Sequence, residues 1–103
     1  MSKEPIKILL IDDEVQFVDT LKDRLFLRGF DAAVAYNGED GLKKVKANPP
    51  DVIVLDLRMP GIDGFEVLRA VKKTNPEVQV IILTGHGGDA EEASAFRMGA
   101  YSF

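Results

Sequence analysis

Short apolar runs alternate with longer amphipathic stretches along the chain, and that alternation sets the expected fold. Ile6 to Ile11, Val52 to Leu55 and Val78 to Leu83 are rich in β-branched residues, and they end at Asp12-Asp13, Asp56 and Thr84. Continuous apolar runs of this length, bounded by turn signals, predict strands buried on both faces, as in a parallel sheet. Asp31 to Ala35 is a weaker strand that ends before Tyr36-Asn37-Gly38. Between these runs the period is helical. Val18, Leu21 and Leu25 recur at spacings of three and four, and Gly29 follows as a stop. Leu42 and Val45 mark a second helix closed by Asn48-Pro49-Pro50. Phe65, Leu68 and Val71 mark a third, closed by Asn75-Pro76, and Asp89 to Met98 is an alanine-rich fourth ahead of Gly99. The order β-α-β-α-β-α-β-α, with the start of a fifth strand at Tyr101-Ser102-Phe103, predicts an α/β domain with a parallel sheet and right-handed crossovers.

Composition narrows the function classes. A length of 103 residues fits one domain, and an apolar share of 46% is enough for a real core. The formal charge of −4, with Lys and Arg scattered among acids, argues against a nucleic-acid surface. It suits a cation or a basic partner instead. There are no cysteines, which rules out disulfides, thiol catalysis and cysteine-based zinc sites. No apolar run approaches the roughly 20 residues needed to span a bilayer, and the polar start of the chain lacks a signal-peptide core. The expected location is the cytoplasm, with no membrane contact.

Candidate chemistry lies at the strand ends. In an open α/β sheet, ligands bind outside the carboxyl ends of the strands, where the strand order reverses. Asp12, Asp13, Asp56 and Thr84 all fall at such ends. If the first and third strands are neighbours, three carboxylates converge and repel one another, and a bound divalent cation relieves the repulsion. Oxygen ligands without His or Cys favour Mg²⁺, Mn²⁺ or Ca²⁺ over zinc. Asp13 could equally cap the helix that begins near Glu14. His86, the single histidine, has no partner histidine and reads as a solvated loop residue. Gly85, Gly87 and Gly88 read as a loop leading into the fourth helix. Phe17 and Phe65 read as core or partner-facing.

Three segments together resemble the receiver domains of bacterial two-component response regulators. They are Leu10-Ile11-Asp12-Asp13-Glu14, Val54-Leu55-Asp56-Leu57-Arg58-Met59-Pro60-Gly61-Ile62-Asp63-Gly64, and Ile82-Leu83-Thr84-Gly85, and Gly99 to Phe103 matches the approach to a fifth strand. The resemblance covers essentially the whole chain. It implies a flavodoxin-like doubly wound parallel sheet of strand order 2-1-3-4-5. It also implies a phosphoacceptor domain rather than an enzyme, one that catalyses its own phosphorylation and dephosphorylation. Asp56 would take a phosphoryl group from a sensor histidine kinase or histidine phosphotransfer protein. Asp13, Asp56 and the backbone carbonyl of Arg58 would ligate Mg²⁺, with Asp12 acting through a water. Thr84 would hydrogen-bond the phosphoryl group, and Thr84 and Phe103 would form the switch.

The family also carries a lysine three residues beyond the fifth-strand aromatic, a position past Phe103. Residues 1–103 are therefore expected to be a receiver domain incomplete at its C-terminus, with the last helix absent. From this follow slower phosphorylation, one uncovered sheet face near the first strand, and self-association through the truncated region. The missing lysine also keeps open a structural or interaction domain that is never phosphorylated. A phosphatase of the haloacid dehalogenase type would need a second Asp where Arg58 stands. A flavodoxin-type carrier would need a hydroxyl- and glycine-rich loop where Asp12-Asp13-Glu14 would repel a flavin phosphate.

Overall fold

The computed structural model describes residues 4–83 and 89–101. Eight elements follow in order: β1 (Lys7–Ile11), α1 (Val15–Leu27), β2 (Asp31–Ala35), α2 (Gly38–Ala47), β3 (Val52–Leu55), α3 (Gly64–Thr74), β4 (Gln79–Ile82) and α4 (Asp89–Arg97). The strands form one parallel sheet in the order β2-β1-β3-β4. The parallel α/β architecture is as the apolar pattern indicated, and the doubly wound sheet with the first four places of its strand order is as the receiver resemblance implied. The fifth strand falls mostly on residues outside those described. Tyr101, its first residue, donates its N–H to the Val80 carbonyl at 2.7 Å, on the open side of β4.

Register sorts the sheet into two faces, because strand residues alternate sides. Leu9, Ile53 and Val80 are aligned across the sheet, as are Ile11, Leu55 and Ile82. All six are buried in the larger core, with Val45, Val67, Leu68, Val71 and Ala95 of α2, α3 and α4. The opposite face carries Ile8, Leu10 and Val34, which pack with Val18 of α1. On that face Val52, Val54 and Ile81 are only half-buried. The expected uncovered face near the first strand is thus displaced. α1 covers β1, and the open part lies over β3 and β4.

Helix ends follow side-chain chemistry. Asn37 and Asp63 cap α2 and α3 by accepting the N–H groups of Asp40 and Glu66, at 2.8 and 3.0 Å. α1 ends in a Schellman motif: Gly29 N–H binds the Phe26 carbonyl and Phe30 N–H the Leu25 carbonyl, with Gly29 at φ +89°. Phe30 and Leu25 then pack together into the smaller core.

Candidate functional site

The acidic residues owe their positions to hydrogen bonds that continue the sheet past its strand ends. Asp12 N–H donates to the Ala35 carbonyl at 3.1 Å, and Asp56 N–H donates to the Ile11 carbonyl at 3.0 Å. The second bond ties the backbone of Asp56 to the residue just before Asp12. β1 neighbours both β2 and β3, so this edge is where the winding direction reverses. Asp12, Asp13 and Asp56 each place a carboxylate oxygen there, and the three lie within 4.8 Å of one another.

Asp12 and Asp56 are the buried charged residues among those described, at 8% and 6% exposure, and Asp13 is exposed. Each buried carboxylate is oriented by the N–H two residues on, an Asx-turn arrangement. Asp12 Oδ1 accepts from Glu14 at 2.9 Å, and Asp56 Oδ1 accepts from Arg58 at 3.3 Å. The Asp12 turn moves the start of α1 to Val15. Glu14 is its N-cap and no side chain caps it, so Asp13 is not the helix cap. Burial pushes the Asp12 carboxyl above its ordinary range. The Glu14 N–H opposes that shift, and the neighbouring charges of Asp56, Glu14 and Asp13 add to it. Like charges held this close, with no His or Cys among them, form an oxygen-only donor set that suits a hard divalent cation.

Two apolar side chains border the carboxylates. Phe17 of α1 and Leu83, just after β4, line a narrow notch with Asp12 and Asp56, and both are about half exposed. Leu83 reads in the sequence only as the end of an apolar run. Its N–H donates to the Leu55 carbonyl at 3.0 Å, which carries β4 past Asp56. Arg58 is exposed, and Phe65 packs partly buried against the larger core. Thr84, the stretch from Gly85 to Gly88 with His86, and Phe103 lie outside the described residues.

A doubly wound α/β domain with an acidic cluster at its switch point is therefore defined by geometry alone. The family described as the response regulator receiver domain matches residues 8–103. The chain is 34% identical, over its whole length, to the transcriptional regulatory protein GlrR of Escherichia coli, of which it covers 23%. It is 40% identical over 90% of its length to the transcriptional regulatory protein AfsQ1 of Streptomyces coelicolor, of which it covers 41%. The chain thus spans well under half the length of these relatives. Among solved structures, a response regulator receiver domain protein from Clostridium thermocellum superposes with a TM-score of 0.87. That likeness is at 36% identity and covers 94% of this chain and 79% of that one. A CheY-like receiver domain protein from Methanospirillum hungatei shares the fold at a TM-score of 0.92 and 24% identity, over 95% of this chain and 78% of that one. The chain belongs to the response-regulator receiver family of two-component signalling.

Proposed function

We propose that this chain accepts a phosphoryl group on Asp56 and that the phosphorylated state is a signalling switch. The observation that carries the reading is the gathering of three carboxylates within 4.8 Å at the switch point of the sheet. Asp13, Asp56 and the Arg58 carbonyl would hold Mg²⁺, with Asp12 reaching it through a water. When bound, Mg²⁺ offsets the negative charge of the carboxylates and of the incoming phosphoryl group.

The chain's own residues supply positioning. Arg58 N–H holds Asp56 Oδ1, and Oδ2 would be the oxygen that attacks phosphorus. The Asp56 oxygen forms a bond to phosphorus, the phosphorus–nitrogen bond of the donor's phosphohistidine breaks, and the imidazole takes a proton from solvent. The product is an acyl phosphate that water hydrolyses back to the carboxylate and inorganic phosphate. Thr84 would hydrogen-bond a phosphoryl oxygen, and Thr84 and Phe103 would carry the switch. The donor would be a sensor histidine kinase or a histidine phosphotransfer protein in the cytoplasm. No helix among the described residues is long and apolar enough to cross a membrane.

Intact-protein mass after incubation with Mg²⁺ and acetyl phosphate tests the proposal. The expected result is one phosphate adduct that requires Mg²⁺ and is lost in Asp56→Asn. No adduct in a folded sample overturns it and favours an interaction domain that is never phosphorylated.

A further inference from the structure

Gly64 opens α3, eight residues past Asp56, and its N–H donates to the Leu57 carbonyl at 2.9 Å. Its backbone does not require a glycine, since the positive-φ glycines among the described residues are Gly29, Gly61 and Gly99. The first position of a helix tolerates most side chains. Space is what excludes one here. A Cβ on Gly64 would stand 2.6 Å from the Leu57 Cα and 3.1 Å from the Asp56 carbonyl carbon, and closer still to the Asp56 carbonyl oxygen. Among the described glycines, Gly64 alone would have backbone atoms as all three of its nearest neighbours. Gly38 would meet Ile62 and Val67 side chains as well as the Ile62 carbonyl, and Gly41 would meet the Ile11 side chain. Side-chain ends can turn aside, whereas a backbone shared with a strand end cannot.

We propose that Gly64 is a positioning residue for Asp56: its missing side chain lets the first turn of α3 seat directly on the peptide that carries the phosphoacceptor. This rests on Asp56 being that phosphoacceptor. The seat has three independent attachments. Asp56 N–H is bonded to β1, Leu57 carbonyl is bonded to Gly64, and Asp63 caps α3 immediately before Gly64. The Asp56 carboxylate therefore has a backbone fixed from the sheet side and from the helix side. A methyl at position 64 must part α3 from Asp56-Leu57 by roughly an ångström to reach ordinary contact. A misplacement of that size costs about 100-fold in a reaction that depends on alignment.

The test compares Gly64→Ala with Gly29→Ala. Gly29 sits at φ +89° with open space around its Cβ position, at the far end of α1, so alanine there strains the backbone without touching Asp56. Both variants are checked for folding by urea unfolding, and rates are taken where each is fully folded. Gly64→Ala should lower the acetyl-phosphate rate constant about 100-fold at saturating Mg²⁺. It should also weaken Mg²⁺ binding and move the Asp56 and Leu57 amide resonances. Gly29→Ala should lose stability and keep all three. A Gly64→Ala protein with wild-type rate, Mg²⁺ affinity and Asp56 amide shift overturns the proposal. So does a Gly64→Ala chain that stays unfolded even in a stabilising osmolyte such as trimethylamine N-oxide, because glycine would then serve the fold alone. If the wild type takes no phosphate, the phosphoacceptor reading fails. The Mg²⁺ and amide measurements still decide whether Gly64 places Asp56.

Discussion

The two faces of the sheet are built to different standards. On the face covered by α2, α3 and α4, the aligned pairs Ile53 and Val80, and Leu55 and Ile82, are at most 2% exposed. On the face covered by α1, the neighbouring positions Val52, Val54 and Ile81 remain half-buried. The capping differs in the same sense. α2 and α3 begin under Asn37 and Asp63, while α1 begins at Glu14 without a side-chain cap. The Glu14 N–H, which lies beside the helix start, is bonded to Asp12 Oδ1, and so it orients a carboxylate of the acidic cluster. The closed face thus supplies rigidity and seats Asp56 against α3. The α1 side supplies the groups that surround the carboxylates, and it stays open beside Phe17 and Leu83.

The contrast can be broken or sharpened by substitution. Leu55→Ala, on the closed face, should cost about 3–5 kcal/mol in urea unfolding, because a fully buried leucine leaves a cavity that three helices cannot refill. Val54→Ala, one residue away on the other face, should cost about 1 kcal/mol, since its side chain already meets solvent. Equal losses would mean that the two faces are packed alike. Asp63→Ala should cost about 1 kcal/mol by uncapping α3. It should also slow phosphorylation if that helix seats Asp56.

The smallest effect concerns Asp12 and depends on pH. Its carboxyl is raised in the fold, so the folded chain holds more protons than the unfolded chain between the ordinary and the raised value. Stability without divalent cation should fall as pH climbs through that window and stay lower above it. Asp12→Asn should remove the fall and be the more stable chain at neutral pH. Saturating Mg²⁺ should shrink the difference. A chain whose stability rises through the window would contradict the assignment.

Much of this was legible in the residues. The apolar runs placed β2 and β3 to the residue, and β1 and β4 to within one residue at each end. The convergence of Asp12, Asp13 and Asp56 followed once β1 and β3 were taken as neighbours. What the pattern hid were interactions of the backbone. Asp13 looks like a helix cap because its residue type and place allow it, and only the Asp12 turn excludes that role. Asp63-Gly64 looks like a turn. The structure shows a cap followed by a glycine chosen for space, a distinction that depends on where the Asp56 peptide lies in three dimensions. The opening over β3 and β4, rather than β1, depends on which strands α1 packs against, which periodicity does not encode.

The bond from Asp56 N–H to the Ile11 carbonyl also bears on how the chain folds. Asp12 and Asp56 lie far apart in the sequence and meet only when β3 zips onto β1, with α1, β2 and α2 looped out between them. Closing that loop carries an entropic cost that local helices escape. The last contacts of the zip also bring like charges together. The acidic cluster should therefore form late in folding, and a cation that binds it only once it has formed should slow unfolding more than it speeds folding.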